Sequence, residues 1–304
     1  MDRNLPKVIE AADAYESGCE IIVVDDASRD GSVPLISKYA PRAQLIRHDI
    51  NRGFAEAIHT GLRHAANEIV ILLNSDVRPA NDFVAPLTAH FQNPTTFSVS
   101  PLICDPDGNP QTVSWNLGMI RRGSIKFRPW VLEEAREHLE KEQTLKTLFA
   151  SGGSVALRKN MFLQLGGFLP LYKPFYYEDV DLCTRAWLQG WQTLFEPRSE
   201  VIHDHAGAIR LHFDARRVRT IRQRNRFFYL WLYLSKTGIL RSHIPGITYR
   251  VVLRTLQLDM TYMTALMRAI LHLKEVSAFR AQMKSSPKPW RPLEEILAEI
   301  AEAA

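Results

Sequence analysis

The chain is short of cysteine, of long apolar runs and of low-complexity tracts, and each shortage excludes something. Its three cysteines, Cys19, Cys104 and Cys183, are irregularly spaced and form no CxxC pair. That argues against a disulfide framework or a zinc site and fits a reducing compartment. No uncharged apolar window of about 18 residues occurs, so no membrane span is expected. The opening residues, Met1-Asp-Arg-Asn-Leu-Pro6, contain no apolar h-region, so no signal peptide is expected. No internal repeat is visible. At 46% hydrophobic and 23% charged the composition is that of an ordinary globular protein, and 304 residues suffice for one large domain or two smaller ones.

Excess positive charge is also missing from most of the chain. The net charge is +5, yet seven arginines and one aspartate lie between Arg210 and Arg226, so the basic character is local. Nucleic acid or anionic lipid can read such a patch. No recognised nucleic-acid motif accompanies it, so no nucleic-acid partner is expected. Arg216, Arg219, Arg222 and Arg226 fall at helical spacing, and Phe227 to Leu234 follow without a charge. This combination reads as an interfacial helix on an anionic bilayer, with a solvated face of a helical subdomain as the bland alternative. Further on, Leu253, Leu256, Met260, Met263, Met267 and Ile270 form an apolar seam at steps of three and four. Ser285 to Pro289 reads as a linker to a short final helix.

The first part of the chain alternates helices and strands. Helices are expected over residues 4–17, from Ser32 through Tyr39, and over 53–66. Strands are expected over Glu20–Asp26, Gln44–Arg47 and Glu68–Leu73, which predicts an α/β fold with a mostly parallel sheet. From Phe97 to about Lys126 the pattern suggests short strands and turns. Leu132 to Leu148 reads as a charged helix, Ser151 to Leu157 as a small-residue strand, and Thr193 to Val201 as another strand.

Carboxylates gather at the ends of these elements. Asp25 and Asp26 close one strand, and Asp76 follows the apolar run Ile69 to Leu73. Ligands of open α/β sheets bind at the carboxyl edge of the strands. Asp25 and Asp26 suit hydrogen bonds to a base or ribose, or else the stretch serves turn and helix capping through Asp26, Ser28 or Asp30. Asp76, in Asn74-Ser75-Asp76, suits Mg²⁺ or Mn²⁺ with a diphosphate, or else an N-cap for the helix near Asn81. Glu178, Asp179 and Asp181 place three acids in four residues after an aromatic run. Asp179 suits general-base work with Glu178 tuning it, whereas Asp181 is assigned to structure. His203, with His205 two residues on, offers a further metal ligand. A zinc hydrolase is the rival reading, but a third ligand at familiar spacing is missing.

In order, these pieces resemble the inverting family-2 glycosyltransferases of GT-A fold, over roughly residues 4–235. The landmarks are Glu20-Ile-Ile-Val-Val-Asp-Asp-Ala-Ser-Arg-Asp-Gly-Ser32, Asn51-Arg-Gly-Phe-Ala55, Ile71-Leu-Leu-Asn-Ser-Asp76, Ser151-Gly-Gly153, Gly166-Gly-Phe168, Glu178-Asp-Val-Asp-Leu182 and His203. The closest likeness is to rhamnosyltransferase-like enzymes of bacterial surface polysaccharide synthesis. The resemblance implies a nucleotide-diphospho-sugar donor held around Asp25, Asp26, Ser28, Arg52, Gly53, Asn74, Ser75, Ser151, Gly152 and Gly153. It also implies Asp76 as the DXD-type ligand to Mg²⁺ or Mn²⁺, with His203 as a second ligand, and Asp179 as catalytic base beside Glu178. A glycan or lipid-linked acceptor is expected with it, and the arginine helix adds the expectation of a peripheral place on the cytoplasmic face of the membrane.

Three features depart from the family pattern. The DXD equivalent has one acid instead of two, and His59 stands where the family commonly has Asn. The apolar strand that family members place before the first helix, beside Ile21 to Val24, is not found, so either an exposed gap in the sheet or a rearranged partner is expected, with part of the base pocket absent. Either the start is wrongly chosen or donor binding has been lost, and the intact downstream acids favour the first. The expected organisation is a glycosyltransferase domain over residues 1–208 and a basic, amphipathic, membrane-associating extension over 209–304. The alternative is a catalytically inactive protein of the same fold serving as a membrane scaffold. A nucleotidyltransferase would need a glycine-rich basic phosphate loop near the N-terminus, and none is found.

Overall fold

The structure, a computed structural model, describes residues 1–204, 213–285 and 288–302. After helix α1 (Leu5–Ala14), strand β1 (Ile22–Asp25), helix α2 (Ser32–Ser37) and strand β2 (Gln44–Arg47) form a first unit. β1 and β2 pair in parallel, with Asp25 opposite Arg47. Helix α3 (Phe54–His64) packs on β1, where Gly61 admits the Val24 side chain. Among the described residues β1 and β2 pair only with each other, so the sheet is interrupted there and not closed by a rearranged partner.

The main sheet has five strands: β3 (Ile69–Leu73), β4 (Val77–Pro79), β5 (Thr96–Cys104), β8 (Ser154–Arg158) and β9 (Gln192–His203). Their spatial order is β3-β8-β5-β9-β4. The α/β class holds, but this sheet is mixed rather than mostly parallel. β5 and β9 pair in parallel, whereas β3–β8, β5–β8 and β4–β9 are antiparallel. The apolar run Ile69 to Leu73 reads as a buried strand, yet it lies at the sheet's edge with only Leu72 buried.

The central strand β5 is the element least visible in the sequence. All nine of its residues are buried, but it is written Thr-Phe-Ser-Val-Ser-Pro-Leu-Ile-Cys. Buried hydroxyls need partners, and Ser98 Oγ finds one in Thr193 Oγ1 of β9 at 3.1 Å. Pro101 sits at a register shift, where a missing N–H costs no ladder bond. The charged helix α5 stops at Glu140 rather than Leu148 (it spans Leu132–Glu140), because Leu145 and Thr147 bond in extended form to Phe195 and Thr193.

Between β5 and α5 lies the hairpin β6 (Gly118–Arg121) and β7 (Ser124–Phe127). Helices α6 (Lys159–Gln164) and α7 (Glu178–Leu188) flank β8 and β9. The arginine helix α8 (Ala215–Tyr233) is N-capped by Asp214, which accepts from the Arg217 N–H at 2.8 Å. Helices α9 (Ile244–Leu256), α10 (Met260–Leu271), α11 (Leu273–Lys284) and α12 (Leu293–Ala301) complete the chain.

Two expectations about this helical part are corrected. Phe227 to Leu234 does not lie on a bilayer. Phe227, Phe228, Leu232 and Tyr233 are fully buried, in one core with Trp115, Trp187 and Leu293. Only the arginine face of α8 is left to solvent. The apolar seam is also broken, since Leu258 adopts a left-handed conformation and Asp259 caps a new helix at the Thr261 N–H. α10 packs through Tyr262, Ala265 and Ala269, because small residues let it approach α8 closely. Met260, Met267 and Ile270 are exposed.

Candidate active site

The three acids at the start of α7 take three different environments. Asp181 is fully buried and accepts from Arg185 Nε at 2.7 Å, Tyr233 OH at 2.7 Å and Tyr172 OH at 3.2 Å. Arg185 also donates to the carbonyls of Leu165 and Gly167, at 2.6 Å each, so the pair locks α7 to the Gly166-Gly167 turn. This is the structural role expected of Asp181. Asp179 faces the strand before it: Oδ2 accepts from the Gly152 N–H at 3.2 Å and Oδ1 from the Val180 N–H at 2.8 Å. Burial raises its carboxyl above the ordinary range, and the two N–H groups partly oppose that rise.

Glu178 has no such support. Its Oε2 is buried without a hydrogen-bond partner, at the edge of a pocket lined by Phe54, His59, Phe168, Lys173 and Phe175. Burial, then the neighbouring charge of Asp179, pushes it up to about 8. Two adjacent carboxyls that cannot both ionise divide the roles. The N–H donors favour charge on Asp179, so Glu178 keeps the proton near neutrality.

This division predicts a stability effect. Below pH 4.5, the ordinary glutamate value, Glu178 is protonated in both folded and unfolded chains. Between there and about 8 the native state must hold a proton that the unfolded chain releases, so stability falls as pH rises. The slope is about 1.4 kcal/mol per pH unit, or about 3 kcal/mol by neutrality. Glu178→Gln is therefore expected to stabilise the fold by that amount near neutrality, with no gain in acid and a plateau above about pH 8. Urea denaturation across pH measures it. A difference that does not vary with pH would place the proton elsewhere.

The turn before α7 is strained. Tyr176 and Tyr177 have φ of 72° and 78°, a left-handed conformation that bulky residues hold at a cost of roughly 1–3 kcal/mol each. Asn225 of α8 holds the turn, its Nδ2 lying 2.8–2.9 Å from the carbonyl oxygens of Tyr172, Phe175 and Tyr176. Arg222 stacks over the Tyr176 ring, and Arg226 Nε donates to Tyr177 OH at 3.0 Å. Asn225 escaped the sequence reading. Its signal is a short amide, with Gln223 two residues before it, inside a run of arginines and aromatics, which charge patterning hides.

The sheet delivers the other groups. The antiparallel pairing of β3 with β8 sets Leu73 opposite Ser154, and the Asn74 N–H donates to the Gly153 carbonyl at 2.8 Å. A side chain at Gly153 would crowd Asn74, and one at Gly152 would stand against Phe54 and Asp179. Asn74, Ser151, Gly152, Gly153 and Asp179 are thus brought together at one edge of the sheet. Ser75 is exposed beside them, and its carbonyl accepts from Asn4 Nδ2.

Asp26 organises the adjoining loop. Its carboxylate accepts from the N–H groups of Arg52 at 2.8 Å and Gly53 at 2.7 Å, and pairs with His48 Nδ1 at 2.7 Å. Burial raises its carboxyl, but these donors outweigh it and the net shift is downward. The Asn51-Arg-Gly53 turn is thereby fixed at the start of α3, whose Phe54 abuts Gly152. Asp25 turns inward, pairing with Arg47 and accepting from the Ser28 N–H, both at 3.3 Å. Of the two, Asp25 has the turn-capping role and Asp26 lies nearer the Gly152 edge.

Pairing of β4 with β9 sets Val77 opposite His203, which brings Asp76 Oδ1 within 3.4 Å of His203 Nε2. A carboxylate oxygen and an imidazole suit a divalent cation whose other positions go to phosphate oxygens and water. Among the described residues no group of three His, Cys, Asp or Glu side chains converges, so the zinc-hydrolase reading has no ligand set there. His205 lies outside the described residues.

Solved structures share this architecture. GalNAc-T7 with UDP, GalNAc and Mn²⁺ superposes with a TM-score of 0.64 at 18% identity, covering 99% of this chain and 53% of that one. The mannosyltransferase PcManGT from Pyrobaculum calidifontis, in complex with GDP-Man and Mn²⁺, gives 0.52 at 19% identity, covering 100% of this chain and 81% of its own. The fold is that of the GT-A glycosyltransferases. Residues 3–166, more than half of the chain, match Glycosyl transferase family 2, and the chain belongs to that family. Among curated relatives, the N-acetylglucosaminyl-diphospho-decaprenol L-rhamnosyltransferase of Mycobacterium tuberculosis is 27% identical over 213 residues, 64% of this chain and 69% of that protein. The pre-mycofactocin glycosyltransferase of the same organism is 26% identical over 201 residues, 64% of this chain but 39% of its own length. The chain is thus a rhamnosyltransferase-like glycosyltransferase of family 2.

Proposed function

We propose that the protein moves a sugar from a nucleotide-diphospho-sugar donor to a hydroxyl of a lipid-linked glycan, with inversion, in bacterial surface glycan synthesis. The observation that carries this reading is the position of Asp179, a half-buried carboxylate that accepts from the Gly152 N–H beside the Asn74 to Asp76 strand end. The acceptor hydroxyl approaches Asp179, which takes its proton as the oxygen attacks the anomeric carbon. Attack opposite the leaving diphosphate inverts that carbon. Asp26, with the Arg52-Gly53 turn, and the open Gly152-Gly153 edge hold the donor. Asp76 and His203 hold Mg²⁺ or Mn²⁺, which when bound neutralises charge on the departing diphosphate.

The lipid-linked acceptor rests on the name of the mycobacterial rhamnosyltransferase. Among the described residues no helix is long and apolar enough to cross a membrane. Peripheral attachment at the cytoplasmic face is supported by the exposed arginines of α8 and by Leu256, Leu258, Met267 and Leu271, all more than 60% exposed. The second reading is a catalytically inactive protein of the same fold serving as a membrane scaffold.

Thermal denaturation with UDP, GDP or dTDP, each with and without Mn²⁺, separates the two. One nucleotide is expected to raise the melting temperature in a metal-dependent way, because a ligand of the native state alone stabilises it. Asp76→Ala is expected to abolish the metal dependence. Silence with all three nucleotides would favour the scaffold.

A further inference from the structure

The β6–β7 hairpin is pinned to α9 (Ile244–Leu256) and carries cations with no catalytic assignment. Arg250 Nη2 donates to the Arg122 carbonyl at 2.7 Å, and His243 Nδ1 donates to the Gly123 carbonyl at 2.5 Å. That tautomer is fixed by Trp231 Nε1, which donates to His243 Nε2 at 3.0 Å. Gly123 and Gly246 permit the docking, since a side chain on either would overlap the backbone opposite. The result gathers Arg121, Lys126, Arg226 and Arg250 at one place. Burial first, and then the charges of Arg226, Arg250 and Arg121, lower the Lys126 ammonium. No carboxylate of the described residues forms an ion pair with any of the four, whereas other cations near the same elements do have one, Arg128 with Glu134 and Arg254 with Asp259. Beside them the Tyr262 hydroxyl is buried and makes no hydrogen bond of normal geometry, with the Arg250 guanidinium next to it.

Four cations held together without counter-charge repel one another, and a multivalent anion relieves that repulsion. The cluster adjoins the catalytic turn, because Arg226 also holds Tyr177, the residue before Glu178. Its own elements carry exposed apolar side chains: Met119 and Phe127 on the hairpin, and Ile244, Tyr249 and Val252 on α9. We infer that Arg121, Lys126, Arg226 and Arg250 form a second anion site, which seats the diphosphate of an isoprenoid-diphosphate acceptor and leaves its lipid to the neighbouring apolar side chains. This rests on the reading of the protein as a transferase to a lipid-linked acceptor, and it names the part of the acceptor that is recognised. It also separates two diphosphates, the donor's at Asp76 and the acceptor's at the hairpin.

The test is binding of farnesyl diphosphate below its micelle concentration, followed by thermal shift, with farnesol and inorganic pyrophosphate as partial ligands. Saturable binding by the wild type is expected, with both partial ligands weaker. Arg121→Gln with Lys126→Gln is expected to raise the apparent Kd at least tenfold and to leave the nucleotide-induced shift unchanged. Arg121→Lys with Lys126→Arg, which keeps the charge, is expected to restore binding. Equal affinity in the wild type and the glutamine variant would overturn the site, as would no binding by the wild type. So would charge-dependent sedimentation with phosphatidylglycerol vesicles without preference for farnesyl diphosphate, which would make the patch a headgroup surface. If nucleotides shift the wild type and farnesyl diphosphate does not, only this inference fails. If neither does, the transferase reading fails with it.

Discussion

Asp179→Asn is expected to lower kcat by about 10²–10⁴-fold, the usual contribution of a positioned general base, with little change in donor KM or melting temperature. The amide keeps the shape of the carboxyl and can still accept from the Gly152 N–H, so the strand-to-helix contact survives. What it cannot do is take a proton. Because burial raises the Asp179 carboxyl, kcat/KM of the wild type should fall as pH drops through a value above the ordinary aspartate range. Initial rates across pH, with thermal melts of both proteins, measure all of this. A kcat near wild type in Asp179→Asn would remove Asp179 from the mechanism.

Two residues on, the same change in charge has a different expected result. Asp181→Ala should cost about 3–5 kcal/mol, because it strands the buried Arg185 without its partner. Tyr172 and Tyr233 would lose their acceptor as well. For a protein of this size the melting temperature should fall by on the order of 10 °C, measured calorimetrically, and activity should fall only through loss of folded protein. A stable but inactive Asp181→Ala would move that residue from the framework into the chemistry. The opposed readouts at positions 179 and 181 separate a base from a brace on the same helical turn.

Much of this site was legible in the sequence because its parts are local. β-branched runs that end in acids mark strand termini, and β2 (Gln44–Arg47) has the expected limits. Three acids at a helix start invite a charged site, and Asp181 was separable from Asp179 as the structural one. Asp76 and His203, far apart in sequence, were each readable as residues at a strand end. Their meeting needed the β4–β9 register.

Other features carry no local signal. β5 is a central strand written with serine and proline, so its burial comes from β8 and β9 on either side and not from its own pattern. The run Phe227 to Leu234 is apolar in sequence, and apolarity alone does not distinguish a bilayer from a protein core. The spacing of Leu253 to Ile270 suggested a seam, but small residues let the other face of α10 pack more closely. Asn225, Tyr176 and Tyr177 form a strained, bonded turn only because α8 folds back over α7.

The sequence by itself determined the α/β class, the order of motifs and the acids that carry the chemistry, because periodicity and residue type act over a few neighbours. The tertiary structure alone decided the mixed strand directions, the burial of the aromatic run, which acid of the triplet keeps a proton, and where Arg121, Lys126, Arg226 and Arg250 collect. Those depend on which distant elements meet, and contacts between distant elements set both burial and charge environment.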